Sequence, residues 1–433
     1  MRIGFFDGVR EIGGNKILIE ENGEGFILDF GKRFSVNNTY FNDYLSERGW
    51  KSPNDYIKTS ILPPIKGLYK REIPVENEID VNIKGVFFSH AHLDHIGLID
   101  YINDSIPKYM SKYTKAVLDH FTDKGLIKEV KNVQIFEDPV KIGDFTIKPI
   151  PTDHDIPGSF ATEVDTQKGK IFYTGDIYFH GRYPEKSLNF VKYAHESKPY
   201  ILITEGTRFG WGFIASPTED ELKKEIVSVL NQTQGLLIGN PYEPHISRIL
   251  TFYEIAKEKG RKFVMTLPYA KILKRYKLIG DENAEKILSD PDTFIYKPDN
   301  PNLNFEDFEE KTIDANSIST DQNKFVLLLD FLNTPELLDI KPQKNAIYVH
   351  SGGEPLASLD AENTKILSNW LNMFSVPYFR IHSPGHAPQQ ELLWMAKEIN
   401  PQILLPIHTQ IPERFEIVSN NVKILERGIL YDF

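Results

Sequence analysis

Short apolar runs recur along the chain, and most of them end at a Gly, Asp or His. The pattern predicts two paired strands at 17–19 and 26–28, joined by a polar turn, and a buried strand at 86–88. Strands are also predicted at 170–174 and 201–205, whose continuous apolar parts, 171–173 and 201–203, are typical of parallel strands buried on both faces. Further strands are predicted at 145–150, 377–381, 404–407 and 422–430, and helices at 108–130, 389–399 and from residue 96 onward.

The middle of the chain alternates predicted helices with short apolar strands, the pattern of an α/β domain with its own parallel sheet. The region 280–323 is rich in Asp, Asn, Pro and Lys, and is predicted to be mostly loop. We therefore predict a domain at 208–374 between the two parts, 1–207 and 375–433, of another domain. Its helices are predicted at 219–230 and 246–259, and its strands at 236–238, 263–266, 325–329 and 346–349.

Composition narrows the possible chemistry. The chain of 433 residues contains 0 Cys, so disulfides and thiolate metal sites are excluded. No run of about 18 apolar residues is present, and residues 1–10 lack a signal-peptide pattern, so we expect a cytoplasmic protein. The net charge of −11 argues weakly against a broad nucleic-acid-binding surface, but leaves room for a narrow basic channel.

Residues 89–95, with the sequence SHAHLDH, directly follow the strand predicted at 86–88. Three imidazoles (His90, His92, His95) and the carboxylate of Asp94 supply the ligand mixture that suits Zn²⁺. These residues would not share one face of a regular helix, so the spacing predicts a loop wrapped around a metal. A solvated, His-rich turn is the alternative, which is disfavoured because the whole chain has only 12 His.

Other strand ends also deliver polar side chains. Each could be an ordinary turn residue when taken alone. A second His-rich segment, at 382–386, reads HSPGH and contains His386. The strand-end residues are Asp29, His154, Asp176, Glu205 and His408.

In this order, the motifs resemble those of the metallo-β-lactamase superfamily, in its β-CASP branch, and are most similar to ribonuclease J in its short, archaeal-type form. Segments 9–15, 153–158 (DHDIPG), 245–248 (HISR) and 352–355 (GGEP) add to the resemblance. The resemblance implies an α/β fold, a metallo-β-lactamase αββα sandwich with an inserted β-CASP α/β domain. This chain departs from the ribonuclease J pattern at Glu205, where Asp is common, and at Pro384 in the segment before His386. Together with the shorter, archaeal-type architecture, these differences leave the exonuclease-to-endonuclease balance and dimerisation open.

The resemblance also implies a dinuclear site. His90, His92 and His154 would hold one divalent ion, and Asp176 would bridge to another. Zn²⁺ is the expected metal for both ions, and Mn²⁺ is the alternative. The other ion would be held by Asp94, His95 and His408, with Asp29 hydrogen-bonding the metal loop from behind. The implied catalytic residues are Asp94, Glu205 and His386, with His386 as the general acid for the leaving 3′-oxygen and Glu205 as its orienting partner.

In relatives, a glycine-rich turn grips a 5′-terminal phosphate, and the matching residues here are Ser351, Gly352, Gly353 and Ser383. The implied function is a metal-dependent 5′→3′ exoribonuclease on 5′-monophosphorylated single-stranded RNA, with some endonuclease activity. A DNA nuclease and a catalytically inert scaffold in an RNA-processing complex are the alternatives. The inserted domain argues against a small-molecule hydrolase, and the role of 32–80 is left open, as is a homodimer.

Overall fold

The computed structural model describes residues 1–33, 39–41, 45–70, 78–212, 216–353 and 361–433. It divides into two compact units. Unit 1 comprises Met1–Ile214 and Gly385–Phe433, and unit 2 comprises Ala215–Pro384. Within the described ranges, no helix combines the length and the apolar character needed to cross a membrane.

Unit 1 contains two sheets. The described strands of the first are β1 (Arg2–Asp7), β2 (Lys16–Glu21), β3 (Glu24–Leu28), β4 (Asn82–Phe87), β5 (Lys108–Met110), β6 (Val133–Ile135) and β20 (Leu430–Asp432), in the order β20-β1-β2-β3-β4-β5-β6. The pairing of β2 with β3 is antiparallel, as predicted. The second sheet runs β19-β11-β10-β9-β8-β7, with β7 (Val140–Ile142), β8 (Phe145–Pro151), β9 (Phe160–Thr166), β10 (Gly169–Tyr173), β11 (Ile201–Glu205) and β19 (Ile403–Ile407).

The core of unit 1 follows from side-chain alternation along the strands. In β10, Ile171 and Tyr173 point into a core shared with the first sheet, whereas Phe172 packs outward. The outward face is covered by α4 (Pro184–Ser197) and α12 (Gln389–Ile399). Two sheets thus pack face to face with helices outside, which is the metallo-β-lactamase sandwich that the resemblance implies. The remaining described helices of unit 1 are α1 (Ser52–Lys58), α2 (Leu93–Ile96) and α3 (Lys112–Asp123).

Unit 2 is built on one parallel sheet. In its described part the order is β15-β14-β13-β16-β12-β17-β18, with β12 (Leu237–Pro241), β13 (Lys262–Met265), β14 (Thr293–Tyr296), β15 (Thr312–Ile313), β16 (Phe325–Leu328), β17 (Ile347–Ser351) and β18 (Tyr378–Arg380). All its strand pairs are parallel. The helices are α5 (Glu219–Thr233), α6 (Ile246–Glu258), α7 (Leu267–Leu278), α8 (Glu282–Ser289), α9 (Ala315–Thr320), α10 (Leu337–Ile340) and α11 (Ala361–Met373).

Three local predictions were wrong. The helix predicted at 108–130 starts as strand β5, because pairing with β4 overrides its helical pattern, and Ser111 then caps the shorter helix α3. The region 280–323 is not mostly loop, since it contains α8, β14 and α9. Its aspartates serve as N-caps, with Asp281 accepting from Ala284 N and Asp314 from Ser317 N. The last predicted strand, at 422–430, is shifted, because the C-terminal segment that pairs with β1 is β20.

Candidate metal centre

The sheet directions of unit 1 bring polar strand ends to one edge. β10, β11 and β19 are parallel neighbours, so their carboxyl ends lie side by side. Asp176, Glu205 and His408 follow or end these strands. His154 follows β8, which runs in the same direction as β10 because both are antiparallel to β9.

One set of side chains, the three-histidine group, consists of His90, His92, His154 and Asp176. His92 Nδ1 lies 3.1 Å from His90 Nε2 and 3.1 Å from His154 Nε2. Asp176 Oδ2 is 3.6 Å from His90 Nε2, and all four ligand atoms lie within 4.8 Å of one another. Three unprotonated ring nitrogens and a carboxylate oxygen at such spacing can converge on one cation.

A second set, the Asp94 group, consists of Asp94, His95, His408 and the same Asp176. His408 Nε2 lies 3.0 Å from Asp94 Oδ2, and His95 Nε2 lies 3.1 Å from Asp176 Oδ2. Asp176 therefore belongs to both groups, in the position of a bridging ligand. Its Oδ2 is within 3.1–3.9 Å of nitrogen atoms of five histidines: His90, His95, His154, His386 and His408.

Residues 89–95, here called the metal segment, are only in part the loop that their spacing predicts. Residues 89–92 lie outside helices and strands, and His92, which has an extended backbone, is the N-cap of α2. Asp94 and His95 lie on this one short helical turn, where successive side chains point in different directions. The predicted helix from residue 96 onward is wrong, since α2 ends at Ile96.

The electrostatics of the two groups fit a divalent cation. Burial lowers the pKa of His154 to about 4, so its ring stays neutral at pH 7 and keeps a lone pair for a metal. Burial also lowers the pKa of His95, but Asp176 and Asp29 raise it by more, so a positive charge is favoured there. Asp176 Oδ1 is buried without a hydrogen-bond partner among the described residues. Nitrogen and oxygen donors without sulfur suit Zn²⁺ or Mn²⁺.

Asp29 supports the metal segment from behind. Its carboxylate accepts hydrogen bonds from Ser89 N (2.7 Å), Ser89 Oγ (2.8 Å) and Tyr173 OH (2.6 Å), and faces His95 Nδ1 at 2.7 Å. Asn15 Nδ2 in turn donates to Tyr173 OH at 2.9 Å. Asp29 has a φ of 58°, a left-handed conformation that its surroundings must hold in place. The structure thus places Asp29 where it can orient a ring that faces the cluster.

Glu205 and His386 form a third group with Asp176. His386 Nδ1 lies 3.0 Å from Glu205 Oε2, and Ile177 N donates to Glu205 Oε1 at 2.8 Å. Burial lowers the pKa of His386, but Glu205 and Asp176 raise it by more, to about 10. His386 is therefore held in its protonated form at neutral pH, with a fifth of its side chain (20%) exposed.

Several side chains at the site went unassigned in the sequence analysis. Thr207 Oγ1 bridges Glu205 and His408, and Arg208 donates to the backbone oxygen of His386 at 3.2 Å. Asp155 Oδ1 lies 3.3 Å from His154 Nε2. The available signal was proximity in sequence, since each lies one to three residues from an assigned residue. Tyr173 carried the same signal, since it stands three residues before Asp176, whereas Asn15 stands 14 residues from Asp29.

The predicted phosphate-binding residues all lie in unit 2. Ser351 Oγ donates to Ile381 O at 2.7 Å and accepts from Arg248 Nη1 at 2.7 Å, so this hydroxyl is engaged. The N–H of Gly353 donates to Asn240 O. Ser383 Oγ is buried without a hydrogen-bond partner among the described residues. Gly352 has a φ of 100° and a ring of His382 within 2.9 Å of where a Cβ would stand, whereas Glu354 and Pro355 lie outside the described residues.

The sequence of this chain is similar to those of known proteins. Residues 63–190 match the family model of the beta-lactamase superfamily domain. Ribonuclease J 2 of Streptococcus pyogenes serotype M3 is 24% identical over 97% of this chain and 73% of its own length. Ribonuclease J of Pyrococcus abyssi is 22% identical over 97% of this chain and 91% of its own length. This chain spans only 55% of the ribonuclease J of Helicobacter pylori, at 24% identity over 93% of this chain.

A crystal structure of a protein of unknown function from Enterococcus faecalis V583 has the same fold. The two chains superimpose with a TM-score of 0.80 at 24% identity, covering 99% of each. The sandwich, the clustered histidines and aspartates, and the relatives lead to one assignment. The chain is ribonuclease J-like: its fold is the metallo-β-lactamase sandwich, and its sequence is similar to ribonuclease J over most of its length.

Proposed function

We propose that this protein is a metal-dependent ribonuclease that hydrolyses RNA phosphodiester bonds. We further propose that it acts mainly as a 5′→3′ exonuclease on 5′-monophosphorylated single-stranded RNA, and cuts internally more slowly when that end is blocked. The observation that carries the proposal is Asp176, which lies within ligand distance of both the three-histidine group and the Asp94 group. The relatives named ribonuclease J supply the substrate class.

In this proposal, His90, His92 and His154 would hold one divalent ion, and Asp94, His95 and His408 would hold the other. Asp176 would be a ligand of both ions, and Asp29 would orient His95. Two ions bound there would activate a water for in-line attack on phosphorus and neutralise the charge of the scissile phosphate. We expect Zn²⁺, with Mn²⁺ as the second candidate, because all the donors are nitrogen or oxygen.

His386 is the proposed general acid. Its Nδ1 faces Glu205, so Nε2 is the atom that can give a proton to the departing 3′-oxygen. The raised pKa of His386 keeps that proton in place before the P–O bond breaks. Glu205 stabilises the protonated ring and fixes its direction. The products are a released 5′-phosphorylated nucleotide when the bond is the first one, and a new 5′-phosphate on the remaining chain.

The proposed pocket for the 5′-terminal phosphate of the RNA is the turn at Ser351, Gly352 and Gly353 together with Ser383. Ser383 is the strongest member, because a buried hydroxyl without a partner costs free energy that a phosphate oxygen would recover. Ser351 contributes by position rather than through its hydroxyl, which is already engaged. A monophosphate fits such a compact site better than a triphosphate.

The experiment is a time course on RNA carrying a radioactive 5′-monophosphate and on the same RNA labelled at the 3′ end. Labelled mononucleotides should appear from the start with the 5′ label, and the 3′-labelled RNA should disappear without a ladder of long fragments. A 5′-triphosphate should slow the reaction. The Asp176→Asn protein is the control for a contaminating nuclease.

The pocket is tested by Ser383→Ala, with the exposed Ser368 as a matched control in Ser368→Ala. Ser383→Ala should raise KM for 5′-monophosphorylated RNA but leave KM for 5′-hydroxyl RNA unchanged. An internal ladder from the first time point, at equal rates on all ends, would contradict the exonuclease assignment. Faster cleavage of a matched single-stranded DNA would favour the DNA nuclease alternative, and no cleavage of either by the metal-loaded protein would favour the scaffold.

A further inference from the structure

A single hydroxyl joins two parts of the proposed active site. Thr207 Oγ1 lies 2.5 Å from Glu205 Oε2 and 2.7 Å from His408 Nδ1. Thr207 is 2% exposed and Glu205 is 1% exposed, so water does not compete for these contacts. The hydroxyl therefore connects a member of the Asp94 group with the carboxylate that contacts His386.

The directions of these hydrogen bonds follow from which atoms carry a proton. His408 Nε2 faces Asp94 Oδ2 at 3.0 Å, inside the Asp94 group. A ring nitrogen that binds a metal has no proton, so the proton of neutral His408 must be on Nδ1. Nδ1–H then donates to Thr207 Oγ1, and the one hydroxyl proton is free to donate to Glu205 Oε2. In this series of hydrogen bonds, the Nδ1–H of His408 and the hydroxyl hydrogen of Thr207 each serve as a donor once.

Besides accepting from the backbone N–H of Ile177, Glu205 is thus the acceptor for two side chains. One is Thr207, and the other is Nδ1 of His386, at 3.0 Å from Oε2 and 3.1 Å from Oε1. His90 and His95 have a different outer network, in which Ser89 contacts His90 Nδ1 and Asp29 contacts both Ser89 and His95. The structure therefore contains two outer networks, and the one through Thr207 includes the proposed general acid.

The backbone of His408 also depends on outside support. Its φ of 53° lies in the left-handed region, which is costly for a residue with a side chain. The N–H of His408 donates to Gly8 O at 2.7 Å, and this contact fixes the main chain. The ring direction is fixed by Thr207 at one nitrogen, which leaves the other nitrogen aimed into the Asp94 group.

We propose that Thr207 is a positioning residue that couples the Asp94 group to the general acid. Through its hydroxyl, the charge of Glu205 sets the tautomer and direction of His408, while the same carboxylate orients His386 directly. The inference rests on the proposed function, since it takes His408 as a metal ligand and His386 as the proton donor. Metal affinity in the Asp94 group and proton donation are therefore linked through one carboxylate.

The test compares Thr207→Val, which has nearly the same shape without the hydroxyl, with Thr207→Ser, which keeps it. Metal-free protein is titrated with Zn²⁺ in competition with a chromophoric chelator, and the two binding constants are resolved. Thr207→Val should weaken one of the two constants by about 10–100-fold and leave the other unchanged. Thr207→Ser should stay close to the wild-type protein in both.

A mutant cycle with Glu205→Gln tests whether Thr207 acts through Glu205. If it does, adding Thr207→Val to Glu205→Gln should weaken the affected constant much less than it does in the wild-type background. Fully additive losses would overturn the coupling. Melting temperatures with and without metal separate a positioning role from a folding role. Loss of a positioning residue should reduce the increase in melting temperature that metal causes more than it lowers the melting temperature of the metal-free protein.

The inference and the proposed function can fail separately. If the wild-type protein binds two zinc equivalents and Thr207→Val binds them with unchanged constants, the role of Thr207 is overturned and the proposed function stands. Equal weakening of both constants, with a lower melting temperature of the metal-free protein and no rescue by Thr207→Ser, would show a structural role instead. A wild-type protein that does not bind two equivalents would overturn both.

Discussion

Both units place buried polar side chains near the carboxyl ends of parallel strands, but they satisfy them differently. In unit 2, Arg248 Nε lies 3.0 Å from both oxygens of Glu219, and Nη1 donates to Ser351 O and Oγ. Every contact there joins a donor to an acceptor. In unit 1, by contrast, ring nitrogens of His90 and His154 each lie 3.1 Å from Nδ1 of His92. Asp176 lies beside them, and its Oδ1 lacks a partner within the described chain.

The difference shows how to tell a structural polar cluster from one that needs a ligand. A buried ion pair with complementary groups is complete without anything else, although its net contribution to stability is modest. A set of lone pairs that face one another is repulsive until a cation arrives. By this criterion, the polar cluster around Glu219 maintains the fold of unit 2, whereas the three-histidine group, with the Asp94 group beside it, is the candidate metal site.

The largest expected effect comes from the residue shared by both metal groups. Asp176→Ala should abolish activity, with a loss well above the roughly 100-fold typical of outer contacts, because both proposed ions lose a ligand. Bound metal measured by elemental analysis should fall below one equivalent. A variant with two tightly bound ions would remove Asp176 from the bridging position, and would weaken the contrast between the units.

His386→Ala should lower kcat by about 10²–10⁴-fold, because a positioned general acid is lost. Its metal content should remain that of the wild-type protein, since His386 is not assigned to either metal group. Glu205→Gln should give a smaller loss in the same direction, with a lower pKa for the group that must be protonated in the pH profile. Loss of metal from His386→Ala would mean that His386 is a ligand rather than an acid.

In unit 2, Glu219→Gln should destabilise the fold without affecting the metal site. Leaving Arg248 buried and unpaired should cost about 3–5 kcal/mol of unfolding free energy, whereas zinc binding should not change. Urea unfolding, combined with hydrogen exchange of amides in α5 and α6, measures the loss. The control is the double variant Glu219→Leu with Arg248→Met, which removes both charges and should recover most of the stability.

Glu219 also predicts a pH dependence. Burial raises the pKa of Glu219, but Arg248 lowers it by more, to about 2 from an ordinary value of 4.5. The folded-state pKa is depressed, so the contribution of Glu219 is present above pH 4.5 and is lost as the pH falls toward 2. The wild-type protein should lose stability through that range, and Glu219→Gln should lose less. If the wild-type protein and Glu219→Gln lost the same unfolding free energy as the pH falls, a strong ion pair between Glu219 and Arg248 would be contradicted.

The smallest expected effect is at the outer contact of the metal segment. Asp29→Asn should weaken zinc binding by about 10–100-fold, because the variant can no longer hold His95 and Ser89 with a charged acceptor. Chelator competition measures the change, and Tyr173→Phe is a matched variant that removes one of the four contacts to Asp29. Unchanged affinity in Asp29→Asn would show that the ring of His95 is positioned by other contacts.

Much of the site was accessible from sequence because its members stand in short motifs. The segment 89–95 contains four candidate ligands close together in sequence, and most of the other candidates end or follow a predicted strand. The buried strands predicted at 170–174 and 201–205 are present as β10 and β11, but other helices and strands were misplaced where pairing decided the outcome. The segment at 108–110 became β5 through its contacts with β4, which no local pattern carried.

The sequence by itself determined the residue types, the strand ends and the order of the motifs, because these depend on near neighbours and on alternation with a period of two. Tertiary structure alone decided which distant groups meet. Tyr173 contacts Asp29 across 144 positions, and Thr207 contacts His408 across 201. Such contacts depend on the register of paired strands and on how the two sheets pack. Sheet register therefore decides which side chain orients each histidine ring, and the sequence pattern alone does not contain that information.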